Sequence, residues 1–172
     1  AKIRIKNGYI IASAKNGLYG CNIKFSKISV GATENLLISS CIAKGKTRLS
    51  NCALEPEVQD LVIFLKKLGC KIKWSGKRTL DIEGVKKLKT ATHRVIFDRI
   101  EAGTYIIASA LTKGRLKVRN IDPKIIETEI RLLKKMGINI VKNKNSLIVS
   151  SGAKIKNANI ITEPYPGFPT DL

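Results

Sequence analysis

Cys41-Ile42-Ala43-Lys44-Gly45-Lys46-Thr47-Arg48-Leu49-Ser50-Asn51 returns later in the chain as Ala110-Leu111-Thr112-Lys113-Gly114-Arg115-Leu116-Lys117-Val118-Arg119-Asn120, an offset of 69 residues from Gly45 to Gly114. Leu65-Lys66-Lys67-Leu68-Gly69 returns as Leu133-Lys134-Lys135-Met136-Gly137, an offset of 68, so one residue is lost between the two blocks. A period of this length with the same punctuation means that one supersecondary unit is used more than once.

The unit reads as alternating helices and strands. A helix is expected from Thr33-Glu34-Asn35 through Leu37 and Cys41 to Gly45, with a counterpart from near Thr104 through Ile107 and Leu111 to Gly114; Thr suits an N-cap and Gly the position after the last turn. Short strands follow at Thr47–Ser50 and Leu116–Arg119. A second helix opens at Glu55-Pro56-Glu57, with Pro at the first helical position and acids at the positive end of the dipole. Val58, Leu61, Leu65 and Leu68 form its apolar stripe, and Gly69 stops it. The copy runs from Asp122-Pro123 through Ile126, Ile130, Leu133 and Met136 to Gly137. Two strands with a tight turn come next: Lys71–Trp74 and Thr79–Ile82 around Ser75-Gly76-Lys77, and Ile138–Val141 and Ser146–Val149 around Asn143-Lys144-Asn145. The opening shows a similar hairpin, Ile3-Arg4-Ile5 and Ile10-Ile11 around Asn7-Gly8. The chain thus starts inside one unit and stops on entering another, and a protein built from such units is expected to be longer.

The 172 residues carry 32 Lys+Arg against 13 Asp+Glu, a formal net charge of +19, with 44% hydrophobic residues. That apolar share is a globular one, so charge-driven disorder is not the default expectation. No apolar run of about 18 residues offers a membrane span, and no apolar signal core follows Ala1-Lys2-Ile3-Arg4. A charge of this size raises nucleic acid as a partner. Against it, the 24 Lys and 8 Arg are spread along the chain among Ile and Asn, which reads as composition bias or as binding of an anionic small molecule. Cys21, Cys41, Cys52 and Cys70 lack the two-residue gap of a zinc or redox motif and read as four buried thiols in a reducing compartment. His93 stands without nearby carboxylates and reads as structural.

The chemistry-bearing candidates sit in the small-residue junctions before helix starts: Ser29–Glu34, Asp98–Thr104 and Pro166–Asp171. A helix N-terminus can receive an anion, and Lys27 and Ser29 add a charge and a hydroxyl to the first junction. A cap and turn, a surface Asp98–Arg99 pair and a capping Asp171 are the plain structural alternatives.

Taken together, Ser29-Val30-Gly31-Ala32-Thr33-Glu34-Asn35, Glu55-Pro56-Glu57, Asp98-Arg99-Ile100-Glu101-Ala102-Gly103-Thr104 and Pro164-Tyr165-Pro166-Gly167-Phe168-Pro169-Thr170-Asp171 resemble, in order and over essentially the whole chain, the UDP-N-acetylglucosamine enolpyruvyl transferases (1-carboxyvinyltransferases) of peptidoglycan synthesis. The related shikimate-pathway transferases share the fold but not these motifs. The resemblance implies an α/β (α+β) fold of repeated βαβαββ units, an inside-out α/β barrel that is incomplete here. It assigns 1–97 to the C-terminal part of the first domain and 98–172 to the N-terminal part of the second, with substrates in the cleft between domains.

It further implies a bacterial, cytoplasmic enzyme without a cofactor or metal. The substrates are UDP-N-acetylglucosamine and phosphoenolpyruvate, with neither nucleic acid nor membrane as partner. Lys27, Ser29, Val30 and Gly31 are implied for the UDP-sugar, and Asp171 for the carboxylate at the reacting sugar hydroxyl. Glu55 and Arg99 are implied as cleft residues, supported by Asp98 and Thr170. The family's Lys-Asn pair for phosphoenolpyruvate, its Gly-Cys…Arg-Pro loop and its C-terminal phosphate Arg are not in this sequence. The chain alone is therefore expected to be inactive, needing the rest of the polypeptide. A free carboxylate on Leu172 beside Asp171 would make that end fray. The rival readings are a remnant of a split or decayed gene and a basic nucleic-acid-binding α/β module; the latter would need stacking aromatics that Trp74 and the four Tyr do not supply.

Overall fold

The computed structural model describes residues 1–150 and 154–172. The chain divides into two compact units, Ala1–Leu54 with Val58–Arg94, and Glu55–Glu57 with Val95–Leu172.

The first unit opens with a hairpin, β1 (Lys2–Lys6) and β2 (Tyr9–Ser13), turned at Asn7 (φ 51°) and Gly8 (φ 79°). Both central residues carry positive φ, as a turn matched to strand twist requires. A four-stranded sheet follows, in the order β3 (Asn22–Lys24), β4 (Lys46–Ser50), β6 (Thr79–Glu83), β5 (Lys71–Gly76). β3 and β4 are parallel and joined through α1 (Val30–Ser40); the other pairs are antiparallel. α2 (Pro56–Lys67) leads from β4 to β5. Alternation along the strands sends Leu49, Ile72, Leu80 and Ile82 into one core with Leu37 of α1, Cys41 at its C-cap, and Val62 and Leu65 of α2.

The second unit repeats the plan. α3 (Arg99–Leu111) precedes β7 (Arg115–Arg119); a 3-10 turn (Pro123–Ile126) runs into α4 (Glu127–Lys135); the hairpin β8 (Asn139–Asn143) and β9 (Ser146–Ser150) closes it. Its sheet order, β7-β9-β8, matches β4-β6-β5. Ile106, Ile126, Ile130, Leu133, Ile140, Leu147 and Val149 fill its core.

The repeat has a conformational cause as well as an apolar one. Asn51 and Asn120, 69 residues apart, both adopt left-handed backbone (φ 62° and 59°), which Asn tolerates better than other side chains. Gly69 and Gly137 end the second helix of each unit at φ 96° and 91°.

Two sequence expectations shift. The first helix of each unit starts earlier than Thr33 and Thr104. Ser29, in extended conformation, caps α1 by accepting from the Ala32 N–H (3.2 Å), and Asp98 caps α3 by accepting from the N–H groups of Ile100 and Glu101 (2.8 and 3.1 Å). Local capping chemistry at Ser29 and Asp98 thus wins over the later Thr. Thr33 is instead fully buried inside α1, where its hydroxyl donates to the Ser29 carbonyl (2.7 Å) and accepts from the Ala53 N–H (3.0 Å). The segment read as a turn at 98–104 is accordingly the first two turns of α3.

Second, the thiols are not all buried. Cys41, Cys52 and Cys70 lie in the core, while Cys21 is exposed next to β3. Burial pushes the Cys41 thiol up, with neighbouring Cys70 adding to it, and pushes Cys52 to about 11. Since the thiolate is the reacting species, a thiol reagent at neutral pH labels Cys21 first and the other three only on unfolding. Mass spectrometry after a short pulse checks this; equal labelling of all four would overturn it.

Among the described residues, no helix is long and apolar enough to cross a membrane, and no group of three His, Cys, Asp or Glu could hold a metal ion.

Candidate functional site

In the first unit the candidate residues follow β3. The Phe25 N–H extends the strand by donating to the Ser50 carbonyl (3.0 Å), and the Asn51 side-chain amide donates to the Phe25 carbonyl (3.0 Å). The left-handed Asn51 therefore fixes where the chain leaves the sheet. Residues 26 and 27 bend, and Ser29 turns the chain into α1. Lys27, Ser29 and Gly31 are exposed and Val30 is half-buried. Ser29 spends its acceptor on the cap and keeps its hydroxyl hydrogen to donate. The N–H groups of Val30 and Gly31, first in the helix, have no partner within it. A Cβ on Gly31 would meet nothing within 4 Å, so its surface is open. Lys27, one hydroxyl and two N–H groups are all donors, an arrangement suited to an anion.

In the second unit Glu55, Arg99 and the 162–172 segment come together. The Asp98 cap makes Arg99 the first residue of α3, and its side chain is only 8% exposed. The guanidinium Nε donates to Glu57 Oε2 (3.4 Å), Nη1 lies 3.8 Å from Glu129 Oε1, and Cζ stands 5.6 Å from the Tyr165 ring centroid. Arg99 Nη1 is buried without a hydrogen bond. Glu55 is 5% exposed; one of its oxygens accepts from the Tyr165 N–H (3.4 Å) and the other has no partner. Two carboxylates, Glu57 and Glu129, thus face one guanidinium, and Glu55 is tied to the neighbouring Tyr165 backbone. Burial pushes the Glu129 carboxyl up, opposed by its backbone hydrogen bonding and by Arg99, and burial likewise raises the Tyr165 hydroxyl against the pull of Arg99.

The segment that follows is folded on itself. Tyr165–Pro166 is a cis peptide, the Thr128 hydroxyl donates to the Pro166 carbonyl (2.7 Å), and the Glu163 N–H donates to the Phe168 carbonyl (3.0 Å). Phe168 and Pro169 are buried and Leu172 packs on α3 at Gly103. With these anchors Thr170 and Asp171 are left exposed at the tip. Asp98 is occupied as a cap. The sequence reading missed Thr128, Glu129 and Tyr165. One signal was available: Glu129 falls at helical spacing with Ile126, Ile130 and Leu133, which places a carboxylate on a buried face.

His93 also differs from expectation. Its Nε2 lies 2.9 Å from Asp60 Oδ2, and its ring packs 5.2 Å from that of Phe64. Asp60 is 33 residues away in sequence, which is why no carboxylate showed beside it.

The EPSP synthase (3-phosphoshikimate 1-carboxyvinyltransferase) family model matches residues 1–172. The UDP-N-acetylglucosamine 1-carboxyvinyltransferase of Pelagibacter ubique (strain HTCC1062) is 61% identical over 171 residues, 99% of this chain and 41% of that protein. The protein of the same name from Endomicrobium trichonymphae is 47% identical over 172 residues, 100% of this chain and 41% of its own length. The chain therefore spans about two fifths of the curated relatives it matches. Among solved structures, the enolpyruvyl transferase NikO from Streptomyces tendae superposes with a TM-score of 0.82 at 24% identity, covering 98% of this chain and 43% of that one. EPSP synthase from Acinetobacter baumannii gives 0.60 at 19%, covering 95% and 39%. These two likenesses speak to the fold, which is that of the enolpyruvyl transferases, without a closed barrel among the described residues. On the match along its whole length, the chain belongs to the EPSP synthase (3-phosphoshikimate 1-carboxyvinyltransferase) family.

Proposed function

We propose that the chain is a working part of a UDP-N-acetylglucosamine 1-carboxyvinyltransferase, acting in peptidoglycan synthesis in the bacterial cytoplasm. The observation that carries this reading is 61% identity over 99% of the chain to a relative of that name. The reaction moves the enolpyruvyl group of phosphoenolpyruvate to the sugar 3-hydroxyl. A C–O bond forms at the enol carbon as its methylene takes a proton, giving a tetrahedral adduct. Loss of a methyl proton and of phosphate then restores the double bond.

In this reading Lys27, the Ser29 hydroxyl and the Val30 and Gly31 N–H groups hold the UDP-sugar as donors to its anionic part. Asp171 removes the proton of the sugar hydroxyl. Residues 1–97 belong to the first enolpyruvyl transferase domain and 98–172 to the second. Turnover requires the remaining length found in the full-sized relatives.

The test is enolpyruvyl transfer by the full-length transferase carrying this chain, beside the chain alone. The chain alone gives no turnover. In the full-length enzyme Lys27→Ala raises KM for UDP-N-acetylglucosamine by about 10- to 100-fold, the loss of one charged hydrogen bond, and changes kcat less. Transfer by the chain alone, or an unchanged KM in the variant, would overturn this reading.

A further inference from the structure

The buried half of the second-unit cluster lacks a role in the proposed chemistry. We infer that Thr128 and Glu129, in the first turn of α4, are positioning residues: with Arg99 and Glu55 they clamp the segment Glu163–Leu172 and so fix the direction of Asp171.

Four observations carry this. The segment has no regular secondary structure beyond a single bridge, Thr162 with Phe168, and a few backbone bonds within itself, so side-chain anchors tie it to the helices of its unit. Two of those anchors reach adjacent residues from separate parts of the unit: Glu55, just before α2, takes the Tyr165 N–H, and Thr128 of α4 holds the Pro166 carbonyl. Arg99 stands over the Tyr165 ring, and Glu129, 3% exposed, stands 3.8 Å from that guanidinium. Glu129 thus touches Arg99, Arg99 covers Tyr165, and the chain carries that constraint six residues on to Asp171.

A carboxylate on a buried helical face is costly unless it has such a task, because an apolar residue there would pack without desolvation. The raised Glu129 carboxyl accords with that cost: burial outweighs the Arg99 attraction. An uncharged acceptor of the same shape should therefore serve the clamp as well.

The last step, from the clamp to catalysis, rests on the proposed role of Asp171; the clamp itself does not. The experiment separates the two. Amide exchange of Glu163, Tyr165 and Gly167 is followed in the full-length transferase carrying Glu129→Leu, Glu129→Gln or Thr128→Val. Glu129→Leu and Thr128→Val speed exchange of these three amides about tenfold, with α1 unchanged. Glu129→Gln stays within about twofold of the parent, because it keeps a polar side chain of the same shape against the guanidinium 3.8 Å away. Equal protection in the Leu and Gln variants would overturn the inference, since Glu129 would then only fill space. Should the Leu variant fail to fold, Thr128→Val decides, and unchanged exchange there also overturns it. In the full-length transferase Glu129→Leu lowers kcat about tenfold with KM for the UDP-sugar within about twofold. A loosened segment with full turnover upholds the clamp and overturns Asp171 as the base.

Discussion

Asp171→Asn in the full-length transferase lowers kcat by about 10²- to 10⁴-fold, the range a positioned general base supplies. The substitution preserves size and hydrogen-bonding reach and removes the ability to take a proton. Asp171 is suited to this test because its carboxylate does nothing else. It is exposed, and among the described residues it has no hydrogen bond or ion pair. The neighbouring residues hold the backbone instead, through buried Phe168 and Pro169 and through the Leu172 side chain against Gly103. Loss of activity in the Asn variant is therefore not a folding defect, and its thermal midpoint should match the parent. KM for the UDP-sugar should move far less than it does in Lys27→Ala, so the two variants divide the work into proton removal and anion binding. Retention of more than about a tenth of the parent kcat would remove Asp171 from the base role.

The repeat was legible in the sequence because its signals are local. Gly69 and Gly137 stop helices, Asn51 and Asn120 turn left-handed, and alternating Leu and Ile mark strand faces; each depends on a few adjacent residues. Lys27, Ser29 and Gly31 stood out as candidates because they fall in one short junction before a helix, although the cap itself was placed too late, at Thr33. Helix starts were misread where two capping residues competed, and Thr33 lost to Ser29 once its hydroxyl was engaged by Ala53, twenty residues away. The Arg99 cluster was only half legible. Glu55 and Arg99 stood out as motif residues, but their shared surroundings come from residues 129 and 165, which no local pattern ties to position 99. Asp60 and His93 escaped for the same reason. Sequence spacing reports what lies within one helix or hairpin; long-range pairs of charged groups depend on tertiary packing.

Arg99→Met should show how much the second unit depends on its one buried guanidinium. Met keeps most of the volume and removes the charge. Glu129 is then left buried without the cation that faces it, and Glu57, more exposed, turns to water. Leaving a buried partner uncompensated costs about 3 kcal/mol, whereas breaking the exposed Arg48–Asp81 pair (2.6 Å) by Arg48→Met costs far less despite its shorter contact, because water screens both charges. The single Trp, Trp74, reports on the first unit, so the second is followed by amide exchange in α3 and α4. The deficit should also depend on pH, with a definite sign. Burial already raises the Glu129 carboxyl above its unfolded value, so its contribution to stability is greatest below that value and is lost as pH rises through the folded one. Removing Arg99 takes away a charge that held this shift in check. The variant therefore lies nearest the parent in acid, where Glu129 is protonated in both, and falls further behind as pH rises to neutral. A deficit that is flat with pH, or smaller than that of Arg48→Met, would show that Arg99 is held by packing of its aliphatic stem and not by the carboxylates around it.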